Sequence, residues 1–174
     1  KSVFGGSSIY FDGSDDFIQM VDSSDFSITA GSPWTMEMWF YNARTSGTNI
    51  NSLFCHGANA NDRVFGYHTD GTGMHWYIAT SGTARVNINT SNLDFTRWYH
   101  VAFVKDSSDV YDIYIDGIPA TTTATYATSI DTGSTFYLGT NQGNGGQRML
   151  GYLDEIRLSQ GIARYSKSIE RFAN

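Results

Sequence analysis

The residues that could do chemistry are few, and most are carboxylates. Aspartate supplies 14 of the 17 acidic side chains, and the only glutamates are Glu37, Glu155 and Glu170. Three aspartates crowd Asp12-Gly13-Ser14-Asp15-Asp16, where a flexible turn offers carboxylates and carbonyls of the kind a hard cation binds, though without the spacing of an EF-hand loop. Asp154 is the other oddity. Strand side chains alternate with period two, so Leu150, Tyr152, Asp154, Ile156 and Leu158 should share one face. Leu153, Glu155 and Arg157 should take the other, with Glu155 and Arg157 close enough to pair. A lone carboxylate among apolar residues is costly unless a cation or several donors hold it.

Other reactive groups are scattered. His56, His68, His75 and His100 lack the His-x-x-x-His or Cys-x-x-Cys spacing of zinc sites. His68 and His75 flank the Asp70 turn and could face each other across a hairpin, as a zinc pair or as a plain surface pair. His100 lies in a strand and reads as a hydrogen-bonded structural residue. Cys55, the single cysteine, rules out an internal disulfide and reads as a small core residue beside His56.

Binding candidates are more numerous. Trp39, Tyr41, Tyr67, His75, Trp76 and Tyr77 could offer aromatic faces for stacking a sugar. The loop Thr140 to Arg148 sets Asn141, Gln142, Asn144 and Arg148 on a glycine-rich backbone, with Asn59, Asn61 and Asp62 as a further polar rim. The competing reading is structural, because sandwich cores are aromatic in any case.

The elements that must hold these residues are strands. Glycine, aspartate and β-branched or aromatic residues are abundant, and good helix formers are scarce. The pattern predicts strands over residues 34–41, 52–56, 64–68, 74–79, 84–89, 98–105, 110–116 and 135–139, with a closing strand from residue 149. Asp70-Gly71 marks a hairpin turn. Tyr10 to Asp12 and Phe17 to Val21 predict an opening hairpin around the aspartate turn, and Phe26 to Ile28 a short strand. Serial short strands in a chain of 174 residues predict one all-β domain over 1–174, an antiparallel two-sheet sandwich or jelly roll. A net charge of −6 argues against nucleic-acid binding and against anionic lipid. No apolar run reaches the roughly 20 residues that insert into a membrane.

Four stretches, in order, carry a family resemblance: Ser8 to Ile18, Trp34 to Phe40, Trp98 to Val104 with Tyr111 to Gly117, and Gly151-Tyr152-Leu153-Asp154-Glu155-Ile156-Arg157. Together they resemble laminin-G-like domains of the concanavalin A-like lectin/glucanase superfamily. The tail Gly161-Ile162-Ala163-Arg164-Tyr165 is similar to copies in phage and bacterial surface proteins. The resemblance implies a concanavalin A-like jelly roll and a structural calcium (Ca2+) joining the first and last strands, through Asp154 with Asp12 as partner. The alternative stays open that Asp154 accepts backbone or tyrosine donors and Asp12 caps a turn. The Glu-x-Asp-x-Glu signature of the glucanase relatives is missing, so the two carboxyl groups a retaining glycosidase sets about 5–5.5 Å apart are not provided. The expectation is a non-catalytic carbohydrate-binding or adhesion module on an extracellular or virion surface, binding glycans or a protein partner, with oligomers allowed. Its alternative is a structural virion decoration or assembly protein.

Overall fold

The computed structural model describes residues 1–47, 49–141 and 147–167. Two antiparallel sheets carry the fold. The first has seven strands: β1 (Ile9–Asp12), β13 (Leu150–Gln160), β3 (Trp34–Asn42), β8 (Trp98–Lys105), β9 (Val110–Ile115) and β10 (Ile118–Pro119) in that order, with β11 (Ala124–Thr125) also on β9. The second has six, in the order β2 (Ile18–Met20), β12 (Phe136–Leu138), β4 (Ile50–Asn59), β5 (Asp62–Thr69), β6 (Gly73–Thr80) and β7 (Thr83–Asn89). The first and last strands meet as expected, with Ile9 opposite Leu153 and Asp12 opposite Leu150. The Asp70 hairpin joins β5 to β6 as predicted, and the Asp106–Asp109 turn joins β8 to β9.

Two local expectations fail. β1 and β2 do not form a hairpin, because β1 pairs with β13 and β2 with β12 in the other sheet. The aspartate turn is therefore a crossing between layers. Phe26 to Ile28 is not a strand either: Ser24–Phe26 is a 3-10 turn capped by Ser23, and Ile28 makes one bridge to Ile130. Ser and Asp compete locally for backbone N–H groups, which favours a capped turn over extension.

Between the sheets the inward faces supply an aromatic core. Trp34 and Trp76 stack with centroids 5.6 Å apart, and Phe54 meets Phe103 edge to face at 5.0 Å. Gly66, in the middle of β5, leaves the space that the Phe54 ring fills, since a Cβ there would lie 2.1 Å from the ring. Trp76, a sequence candidate for sugar stacking, is fully buried in this core. It belongs to the packing, because its strand alternation points it inward along with Met74 and Ile78.

β13 departs from simple alternation. Its register against β3 slips between Asp154 and Arg157, and Glu155 takes a left-handed φ of 49°. This is a β-bulge, which inserts a residue and re-aims the side chains beyond it. Leu153 and Leu158 turn inward against Phe40 and Met36, whereas Asp154 and Arg157 both stand on the outer face beside Trp39 and Glu37. So Asp154 is not the odd charge on the apolar face, and Arg157 does not pair with Glu155.

Candidate functional site

The outer face of the seven-stranded sheet is the most chemically structured surface. Register places three rows of side chains across it. The first is an aromatic ladder of directly opposed residues: Trp98 on β8, Tyr41 on β3, Tyr152 on β13 and Tyr10 on β1. Successive ring centroids are 5.4, 5.8 and 4.8 Å apart. Cross-strand pairs of this kind stabilise a sheet, yet Tyr10 is half exposed and Trp98 and Tyr152 are only partly covered.

The second row is His100, Trp39 and Asp154. Trp39 meets His100 edge to face at 5.4 Å. The third row is built on Glu37, which is 2% exposed. Its Oε1 accepts from Arg157 Nε at 2.6 Å and lies 3.4 Å from Arg164 Nε. Its Oε2 accepts from the Tyr165 hydroxyl at 2.8 Å and lies 3.4 Å from His100 Nε2. Ionic and neutral donors thus surround the buried carboxylate, which is the condition for leaving a charge out of water. Burial, then the Glu37 carboxylate, pushes the Tyr165 hydroxyl up to about 12. His100 is held below its ordinary value by burial, against the opposing pull of Glu37.

The C-terminal tail motif explains itself here. Thr35 donates to the Ile162 carbonyl and accepts from the Arg164 N–H, pinning the tail to β3. Ala163 and Tyr165 then cover Ala102, Val104 and Tyr114. Two open depressions remain beside Trp39. One, of about 360 Å³, is lined by Phe4, Glu37, Trp39, Glu155 and Arg157. The other, of about 500 Å³, is lined by Trp39, Arg97, Trp98 and Asp116.

The residues singled out in the sequence fall elsewhere or apart. His75 and Tyr77 lie partly exposed on the outer face of the six-stranded sheet, where His75 stacks on Tyr67 at 4.7 Å and 3°. Arg63 lies over the Tyr77 ring at 5.2 Å. His68 does not face His75; it pairs with Met74 and points into the core. Burial, with His75 nearby, depresses its pKa to about 4. Asn141 is buried, bonding Gln147 through its amide and meeting the Cys55 thiol. Arg148 stacks over Phe17 at 5.1 Å and gives its carbonyl to Arg44. Gln142 and Asn144 lie outside the described residues. Trp76 and Asn141 are therefore buried, whereas Arg148 is half-buried over the exposed Phe17 ring.

The Asp12–Asp154 metal pair is likewise corrected. Asp12 sits opposite Leu150, four residues along β13 from Asp154, a separation of roughly 13 Å at strand rise. Asp154 Oδ2 accepts from the N–H groups of Val3 at 2.8 Å and Phe4 at 3.4 Å, and Oδ1 accepts from Glu155 at 2.9 Å. Asp12 accepts from Ser14 and Asp15 at the turn, and the Ser14 N–H is the main cause of its lowered pKa. The open alternative of backbone donors and a turn cap is the one the geometry gives. Asp12 does converge with Asp15 and Asp16, but all three are exposed.

Sequence reasoning misses Glu37 as a hub and the ladder as a unit. Trp39 and Tyr41 are legible as an aromatic second face, but the register that aligns Tyr41 with Trp98 and Tyr152 is not.

Two antiparallel sheets packed in this strand order, with the first and last strands side by side in one of them, define a lectin-type jelly roll. The chain belongs to the laminin-G family of the concanavalin A-like lectin/glucanases superfamily, whose model matches residues 12–166. No curated protein sequence is significantly similar to it. Among solved structures it is similar to domains LG4-5 of the mouse laminin α1 chain, at 16% identity and TM-score 0.67, covering 90% of this chain and 42% of that one. It is also similar to domain 4 of AbnA, an extracellular arabinanase of Geobacillus stearothermophilus in complex with arabinotriose, at 18% identity and TM-score 0.63, covering 91% and 78%. The CBM40 of a Ruminococcus gnavus sialidase bound to α2,6-sialyllactose gives 15% identity and TM-score 0.61 over 75% and 77%. At these identities the likeness is one of fold. No helix among the described residues is long and apolar enough to cross a membrane.

Proposed function

We propose that this domain is a non-catalytic carbohydrate-binding and adhesion module working outside the cell, with the outer face of the seven-stranded sheet as its binding surface. One observation carries the reading: Trp98, Tyr41, Tyr152 and Tyr10 form a row of rings across four strands, bordered by fixed polar groups at Arg157, His100 and Asp116. Sugar rings present apolar C–H faces that stack on such rings, while their hydroxyls need planar donors and acceptors at the margin. Relatives in fold whose structures hold arabinotriose or sialyllactose support the class of ligand.

The non-catalytic part rests on Glu37. It is the buried glutamate of the groove, and its oxygens already face two arginines, a tyrosine hydroxyl and a histidine. Both oxygens already accept hydrogen bonds, so service as a nucleophile or general base would first have to displace a partner. The reading does not need calcium at the ladder, because Asp154 is engaged by backbone donors. The expectation of a virion surface rests on the resemblance of the tail motif alone.

A glycan array followed by titration of the hits tests the proposal. Binding that Trp98→Ala and Tyr152→Ala both weaken at least tenfold, with no hydrolysis product, is the expected result. An array without hits sinks it.

A second reading, an assembly or decoration protein, has its own observation. Among the described residues, Phe4, Ile9, Tyr10, Phe17, Ile18 and Val21 make up six of the eight exposed large hydrophobic side chains and fall in the first 21 positions. They flank the edge strands β1 and β2, a place where another chain can add. Sedimentation separates the readings: a stable oligomer at micromolar concentration favours assembly.

A further inference from the structure

The N-terminal arm runs over the same ladder, and it is held there by contacts that no strand pairing requires. Lys1 sets its ammonium 4.2 Å above the Tyr41 ring and donates to the Tyr41 hydroxyl. Phe4 meets the Trp39 ring edge to face at 6.0 Å. Between them the N–H groups of Val3 and Phe4 both point at Asp154 Oδ2. Gly5 and Gly6, with φ of 64° and 80°, turn the arm back so that the Ser8 hydroxyl reaches the Lys1 carbonyl. A side chain at either glycine would touch nothing, so the pair serves the reversal and not packing.

We propose that residues 1–8 are a displaceable strap, a built-in occupant of the Trp39–Tyr41 surface that any ligand of the ladder must lift. That a ligand must lift it rests on the glycan-binding reading; the strap itself does not. Three features carry it. Tyr41 is 4% exposed although it lies on the outer face, and Lys1 is what stands over its ring. Phe4 remains 54% exposed on top of Trp39, so it covers without being buried in turn. The charged anchor, Asp154, is 9% exposed and aimed at the arm backbone, so it holds any sequence that presents two successive N–H groups. A cover held by the Asp154 carboxylate, the Lys1–Tyr41 hydrogen bond and two partial ring contacts is of the strength that opens and closes locally without global unfolding.

Trp34 and Trp76 are buried, so in a Trp98→Phe background iodide quenching of fluorescence reports Trp39. Phe4→Ala strips the cover from Trp39. Val3→Pro removes a donor to Asp154 without altering the groove. Both should raise the quenching constant while leaving the melting transition in place. In the chain with Trp98 intact, each should tighten the affinity for a glycan found by the array, Val3→Pro by about tenfold, the loss of one charged hydrogen bond. Unchanged quenching in both variants overturns the strap. So does a Phe4→Ala chain that binds the glycan more weakly, since Phe4 would then be part of the platform. If no glycan binds at all, the functional reading fails while quenching still decides the strap.

Discussion

Glu37 and Asp154 are both outer-face carboxylates, and they are satisfied in different ways. Glu37 is matched by side chains from β13, β8 and the tail; Asp154 is matched by backbone N–H groups. Replacing Glu37 with alanine should leave Arg157 and Arg164 without their shared partner and lower stability by roughly 1.5–3 kcal/mol, the range for hydrogen bonds to charged groups. Arg157 is itself half in solvent, which keeps the figure below that of a fully buried pair. Chemical denaturation checks it. For Asp154, the asparagine variant should melt lower by the same margin with and without a calcium chelator. A calcium-dependent margin would restore the metal reading that its backbone donors displace.

Strands decide which residues are available to a ligand, and β13 is the instructive one. Period-two reasoning over Leu150 to Leu158 puts Asp154 on an apolar face because nothing in Asp154-Glu155-Ile156 announces a bulge; a glutamate at φ 49° has no compositional mark. The same reasoning succeeds for β3, where Met36, Met38 and Phe40 are buried inward and Trp39 stands outward. It also finds the β5–β6 hairpin but not which of its faces is core, since Trp76 and Tyr77 are equally aromatic. Pairing of β6 with β7 and the second sheet behind it settles that, through contacts distant in sequence. Two tests belong at this scale. Trp76→Ala should cost about 3–5 kcal/mol of folding stability, as large core truncations do. Gly66→Ala should also destabilise, since its Cβ would meet the rigid Phe54 ring at 2.1 Å, and overpacking of this kind costs about 1–3 kcal/mol.

At the scale of the whole molecule, the fold was legible and the site was not. Turn spacing and alternation depend on neighbouring residues, so they survive in the sequence; the ladder depends on the exact register of β1, β13, β3 and β8 side by side, set by contacts remote in sequence. Global stability should also depend on pH through a buried core group. His68 has a folded pKa of about 4 against an ordinary 6.5, so the unfolded chain binds more protons between those values. The contribution of its neutral form is complete above about pH 6.5 and is lost as pH falls toward 4, with a size of about 3 kcal/mol. His75 and His100, also depressed, act in the same direction, while Asp70, raised by burial, acts in the opposite one at the acid end. Melting curves from pH 7 to pH 4 should therefore fall, and His68→Phe should flatten that fall.

The central claim is that the outer ladder, and not the Tyr67–Tyr77 hairpin, meets the ligand. Isothermal titration of one array-selected glycan against Tyr152→Ala and Tyr77→Ala tests it most directly. The ladder account predicts that Tyr152→Ala lowers affinity by about tenfold or more, the loss of one stacked ring, while Tyr77→Ala leaves it unchanged. The reverse pattern, with Tyr77→Ala abolishing binding and Tyr152→Ala without effect, would contradict the account and move the site to the six-stranded sheet.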